Sequence, residues 1–296
     1  MTTTVVDIGG IPMSARIREA PRPRAVIVAL HGGATDSGYF DAPDQPRLSL
    51  LATGAALGFT VIALDRPGYG TSAVHADRMA SGAQRVDLAY AAVDRLLETR
   101  PRGAGVFLMA HSMGCVLAVE MAADERGADL LGLEIAGIGR EYQPHAAVAL
   151  EARRRNGPGH RTAGMTMRDI VWGPGHLYPE GAVGAPGLSA SASPHESDDS
   201  DRWASDFPEL AARVRVPVHY SLGDHEAVWR SGPPALAEVS ELFTASARVA
   251  VDEQACGGHN LSLSRSAMAY HLKVLSFAEE CVLARENADS GRKVTS

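Results

Sequence analysis

The sequence predicts an α/β fold: a mostly parallel central sheet flanked by helices, with a lid inserted over the sheet. Three observations predict it. Short, continuous runs of β-branched and aliphatic residues recur along the 296-residue chain, the signature of strands buried on both faces. Segments with helical spacing separate them, and such alternation builds parallel sheets through right-handed crossovers. Between residues 140 and 203 the rhythm stops, over a stretch too long for an ordinary connection.

Residues 5–8 and 13–17 alternate apolar and polar positions around Gly9-Gly10 and read as an edge hairpin. Residues 25–30 (Ala-Val-Ile-Val-Ala-Leu) form the first buried strand, which runs into His31-Gly32-Gly33. A helix over 48–57, a strand over 60–64 and a helix over 86–97 follow, then a strand over 105–110, a helix over 113–123 and a strand over 130–138. From 140 to 203, Gly157-Pro158-Gly159, Gly173-Pro174-Gly175, a glycine-rich run over 181–187 and a polar run over 189–201 replace the pattern. Alternation resumes with a strand over 216–222, a helix over 234–242, a strand over 247–251 and a long helix over 261–285. The polar residues 286–296 are expected to fray. The expected organisation is a core of 1–139 and 204–285, a lid of 140–203 and a tail of 286–296.

Composition excludes several classes. Apolar residues at 45% and charged residues at 21% are ordinary globular values, so neither a disordered chain nor a coiled coil fits. A net charge of −7 argues against nucleic acid or an anionic membrane as the main partner. Arg153, Arg154, Arg155 and Arg161 cluster without aromatic interleaving and read as a solvated or lid-surface patch. Cys115, Cys256 and Cys281 are scattered, with neither zinc nor disulfide spacing. The N-terminus has no signal-peptide pattern, and no window reaches about 18 consecutive apolar residues. A cytoplasmic protein with no cofactor and no metal is expected. The 30 glycines and 17 prolines announce many shaped loops.

The chemistry concentrates at Ala110-His111-Ser112-Met113-Gly114, where a buried strand meets a helix. A serine at such an elbow projects its hydroxyl clear of the sheet, and small residues two before and two after it avoid a clash. Gly-x-Ser-x-Gly is the common form, so Ala110 is a mild departure. The helix beyond Met113 aims its N-terminal N–H groups at the same place. Serine needs a base, and histidine is the side chain suited to the task. Two histidines are weighed as that base: His259, in the loop Gly257-Gly258-His259-Asn260, and His271, which reads as a satisfied packing histidine inside the long helix. The orienting carboxylate is expected after strand 216–222, in Gly223-Asp224-His225-Glu226. Glu226 and Asp224 both qualify, with Glu141 after an earlier strand as a third option.

With these motifs in place, the chain resembles the α/β-hydrolase superfamily over most of residues 5–285. His31-Gly32-Gly33 resembles that family's oxyanion loop, and Asp65-Arg66-Pro67-Gly68-Tyr69-Gly70 resembles its turn after the next strand. The resemblance implies an α/β-hydrolase fold, with an oxyanion hole made by the backbone N–H groups of Met113 and Gly33 and with Ala34 as a neighbouring option. It also puts Glu226 in register with the family's Gly-x-x-Asp acid and His259 at the position of its base. Donors aimed at a developing oxyanion contribute about 3 kcal/mol each. His31 and Asp65 read as braces for their loops, and His111 and His225 as supporting residues. Cys115 reads as core, and Cys256 lies near the base without a reactive-thiol signature. Trp172, Leu177, Tyr178 and Trp229 are candidate apolar walls for a substrate. The acidic run 196–201 reads as solvated.

These residues point to a serine hydrolase that cleaves an ester or thioester of a small organic molecule through an acyl-enzyme on Ser112. A competing expectation keeps the site but makes it an acyltransferase or an elimination catalyst in a small-molecule biosynthetic pathway. A non-catalytic receptor on the same fold is a third, disfavoured by the presence of a serine, an acid and a histidine. Substrate identity and oligomeric state are not encoded legibly.

Overall fold

The computed structural model describes residues 3–42, 45–157, 161–183 and 188–294. Pro158 and Gly159 of one expected turn, residues 184–187 of the glycine-rich run, and the two residues at each end of the chain lie outside it.

One eight-stranded sheet organises the chain, in the order β1-β2-β4-β3-β5-β6-β7-β8. The hairpin β1 (Thr3–Ile8) and β2 (Ile11–Arg18) is antiparallel, and β2 also runs antiparallel to β4. From β4 onward the sheet is parallel: β3 (Val26–Leu30), β4 (Thr60–Leu64), β5 (Val106–His111), β6 (Gly132–Ala136), β7 (Val218–Gly223) and β8 (Val249–Gln254). The strands begin and end within a few residues of their expected limits.

The central strands bury both faces, as their unbroken apolar runs require. In β3, Val26, Val28 and Leu30 face one core while Ile27 and Ala29 face the other. The first core is covered by α2 (Gly82–Leu96) and α3 (Gly114–Ala123), and the second by α1 (Leu50–Ala56) and the C-terminal helix α8 (Ala267–Val294). Capping sets two helix starts: Ser49 accepts from the Ala52 N–H, and Ser81 with Gln84 forms a reciprocal capping box on α2. No helix among the described residues is long and apolar enough to cross a membrane.

Two expectations are corrected. The stretch 140–203 is not patternless. It holds α4 (Pro144–Asn156), α5 (Met167–Val171) and the start of α6 (Glu196–Arg213), which runs unbroken through position 203. Helix α6 is amphipathic: Trp203 and Phe207 stack at 4.1 Å and join the first core, and the Trp203 indole donates to the Gly139 carbonyl. The polar run at its head hid the helix because the apolar stripe starts about two turns later, at Trp203. After α7 (Pro233–Ser240), the long C-terminal helix begins at Ala267 rather than 261 and continues to Val294 instead of fraying at 286. Arg24 bridges Glu279 and Glu286 at 2.7 Å each, tying that polar extension to the strand side of the molecule.

His271 packs inside α8, fully buried, but it is not satisfied: neither ring nitrogen has a partner. Burial pushes its pKa from 6.5 down to about 3. The unfolded chain therefore takes up a proton in this interval while the folded chain does not, so stability is lost as pH falls below 6.5. Replacing His271 by Leu should remove that dependence. The stability advantage of the variant over wild type, from denaturant melts, is expected to grow by about 2 kcal/mol between about pH 7 and pH 5.

Candidate active site

The parallel strands β3, β5, β6, β7 and β8 all discharge their loops at one edge, where ligands bind in open α/β sheets. Register aligns them, since Leu30 pairs with Leu64 and Ala110, and His111 with Ala136.

Ser112 follows β5 with φ of +50°, a left-handed conformation that costs a non-glycine residue of order 1 kcal/mol. Its N–H still donates to the Ala136 carbonyl at 2.8 Å, so the strand runs straight into the elbow. The turn needs a glycine at 114, where an added Cβ would lie 2.3 Å from the Leu30 carbonyl oxygen. Ala110, buried on β5, supplies the other small residue. No side chain caps α3, and the N–H groups of Met113 and Gly33 have no partner among the described residues. Gly32 lies close by, its added Cβ falling 3.2 Å from the Ser112 Cβ.

His259 Nε2 stands 3.1 Å from Ser112 Oγ, and its Nδ1 lies 3.1 and 3.0 Å from the two carboxylate oxygens of Glu226. Glu226 is buried, and its Oε1 also accepts from the N–H groups of Val228 and Trp229. Asp224 is turned elsewhere. Its two oxygens accept from the N–H groups of Cys256 and Gly257 at 3.0 Å each, bracing the loop that carries His259. The acid and base loops are pressed together so closely that a Cβ on Gly223 would meet the Gly257 carbonyl at 2.2 Å. Glu141 pairs with Arg230 on the surface, and His225 is exposed beside Asp224.

The loop 31–34 is held from all sides. The neutral His31 donates from Nδ1 to the Gly32 carbonyl and accepts from the Arg66 N–H at Nε2. Burial, and then the Arg66 charge, push its pKa down. The Ala34 N–H donates to the Tyr69 hydroxyl, which removes it as an oxyanion donor. Asp65 accepts from the Ser14 hydroxyl and the Ser37 N–H and braces its turn.

The aromatic candidates split. Tyr178 is buried and its hydroxyl accepts from the Asn260 N–H, with Trp172 edge-on to it at 5.3 Å. Leu177 is buried with them. Trp229 stacks on Tyr142 at 4.1 Å, against the acid loop. Tyr178 and Trp229 thus pack the base and acid loops, while Trp172 is half-buried.

The acidic run 196–201 is not solvated as a whole. Glu196 pairs with the buried Arg66, whose Nη2 also donates to the Gly32 carbonyl, and Asp199 pairs with the buried Arg85 at 2.6 Å. An added Cβ on Gly33 would lie 2.7 Å from Glu196 Oε2, so the head of α6 rests on the loop 31–34. Sequence reasoning missed Arg66 and Glu196. The turn 65–70 signalled the arginine's neighbourhood, but nothing local marks an acid 130 residues away as its partner.

Ser112, His259 and Glu226 thus stand hydrogen-bonded in series at the carboxyl edge of a parallel sheet, the edge where ligands bind in open α/β folds. The chain belongs to the alpha/beta hydrolase family, whose model matches residues 27–269. The phospholipase YtpA of Bacillus subtilis (strain 168) is 27% identical over 140 residues, 47% of this chain and 50% of that protein. The match thus spans about half the length of that curated relative. A thermostable carboxyl esterase from Bacillus coagulans superposes with a TM-score of 0.69 at 18% identity, covering 95% of this chain and 98% of the other. A monoacylglycerol lipase from Paleococcus ferrophilus gives 0.62 at 16%, covering 91% and 99%. At these identities the two structures share the fold.

Removing the Glu196 carboxylate leaves Arg66 buried without its counter-charge. Glu196→Ala is expected to lower unfolding stability by about 2–4 kcal/mol, whereas Asp198→Ala, exposed on the same turn, should change it by less than about 0.5, as denaturant melts will show.

Proposed function

We propose that the protein is a serine hydrolase that cleaves an ester or thioester of a small organic molecule through an acyl-enzyme on Ser112. One observation carries this reading: the unbroken contact from Ser112 Oγ through both nitrogens of His259 to the Glu226 carboxylate. The names of the esterase, lipase and phospholipase relatives agree with ester chemistry.

In this reading His259 Nε2 takes the hydroxyl proton as Ser112 Oγ bonds to the substrate carbonyl carbon. The carbonyl oxygen becomes an oxyanion held by the N–H groups of Gly33 and Met113. His259 then hands its proton to the departing alcohol or thiol, and the carbonyl re-forms as the acyl-enzyme. Water, deprotonated by the same imidazole, repeats the sequence, releasing the acid and restoring Ser112. Glu226 sets the ring orientation through Nδ1 and stabilises the imidazolium formed in each half-reaction. The described residues of 140–203 form the cap over this edge, with Trp172 and Met113 as apolar walls for the acyl or alkyl group.

A fluorophosphonate probe should label the wild type and not Ser112→Ala; an unlabelled wild type, or a labelled Ser112→Ala protein, removes the reading. Products lacking net water addition would move the site to acyl transfer or elimination. The two loop carboxylates separate cleanly: Glu226→Gln should lower kcat by about 100-fold or more, and Asp224→Asn by less than about tenfold, in steady-state ester hydrolysis.

A further inference from the structure

We infer that His111 is a positioning residue: its Nε2–H holds the backbone of His259 and so sets the separation between the His259 imidazole and the Ser112 hydroxyl. The inference rests on the reading of Ser112 and His259 as nucleophile and base, and it assigns the residue that keeps them in register.

His111 Nε2 lies 2.9 Å from the His259 carbonyl oxygen. A carbonyl only accepts, so Nε2 carries the proton and Nδ1 presents a lone pair. That second nitrogen is buried with no partner. It faces Gly32, where an added Cβ would lie 2.9 Å away. Burial, and then the neighbouring His259, push the His111 pKa well down. With one nitrogen committed to a carbonyl and the other sealed against backbone, the ring has no route for a proton and serves as a fixed donor.

Its surroundings are built for that donor. The ring stacks on Tyr39 at 4.5 Å with its plane tilted by 14°, which fixes its orientation. Gly137, the residue after β6, has φ of +61°, and a Cβ there would come 2.9 Å from Nε2. Only a glycine leaves the ring a path to the His259 carbonyl. His111 therefore threads between Gly32 and Gly137 and joins the ends of β3, β5 and β6 to the loop after β8. Because it adjoins Ser112 in the chain, one rigid segment carries the nucleophile and anchors the base. The catalytic contact it protects is the 3.1 Å approach of Nε2 to Oγ, and misplacement by about 1 Å in such a contact costs on the order of 100-fold in rate.

A side chain that merely fills space would be replaced best by Phe, which keeps an aromatic ring to stack on Tyr39; a donor would be replaced best by Gln, which keeps an N–H and loses the ring. The experiment compares His111→Phe and His111→Gln as full-length folded proteins, measuring fluorophosphonate labelling rate, kcat and KM for a p-nitrophenyl ester. His111→Phe is expected to lose about tenfold or more in kcat and labelling rate with KM within about twofold, and His111→Gln to recover most of that loss. Equal or faster labelling of the Phe variant than of the Gln variant overturns the inference. If His111→Phe does not fold, His111→Met, similar in length to Gln but without a donor, replaces it and is judged by the same ordering. An unlabelled wild type or a labelled Ser112→Ala protein would instead overturn the underlying reading of the site, independently of any variant at 111.

Discussion

The left-handed backbone at Ser112 is the constraint on which the rest of the site depends. At φ of +50° the hydroxyl is lifted off the sheet, and the chain can hold that conformation only because everything around it is fixed. Behind it, Gly114 lets α3 approach the Leu30 carbonyl more closely than any side chain would permit. Ahead of it, the Ser112 N–H completes the pairing with β6. The strain is local, and the two-faced core of the sheet supplies the rigidity that maintains it.

The same logic of close backbone approach repeats around the edge. Gly223 meets Gly257, Gly32 and Gly137 make room for His111, and Asp224 ties the base loop to the acid loop through two N–H groups. Glycine here does not signal flexibility. It removes side chains where loops from four strands must touch, so that His259 arrives between Ser112 and Glu226.

Charge is handled in a second layer. Arg66 is buried against the loop 31–34, grips the Gly32 carbonyl and is neutralised by Glu196 from a helix far along the chain. Arg85 and Asp199 repeat the arrangement one turn further on. A buried guanidinium without a counter-ion would be costly, so the head of α6 and the strand-edge loops are mutually dependent. The acidic run 196–201, which reads as solvated in the sequence, thereby places Glu196 against the loop 31–34 and Asp199 against Arg85.

Most of the sheet is legible in the sequence because strands buried on both faces must be continuously apolar and the helices between them must be amphipathic. Ser112 and the pair Asp224 and Glu226 are legible for a related reason, since each lies just beyond such a strand, and His259 is marked by the glycines of its loop after the half-exposed edge strand β8. Local sequence also determined the order of strands and helices, the elbow and the family resemblance. Tertiary structure alone decided which carboxylate meets His259, that the acidic run pairs with buried arginines, that α8 continues to Val294, and that His111 reaches the His259 carbonyl. Asp224 and Glu226 are two residues apart and chemically alike, and only the path of the loop 256–259 gives the first to backbone N–H groups and the second to the imidazole. Periodicity reports burial along a segment; it carries no information about which distant atom a buried polar group will find, because that choice is made by packing between elements remote in the chain.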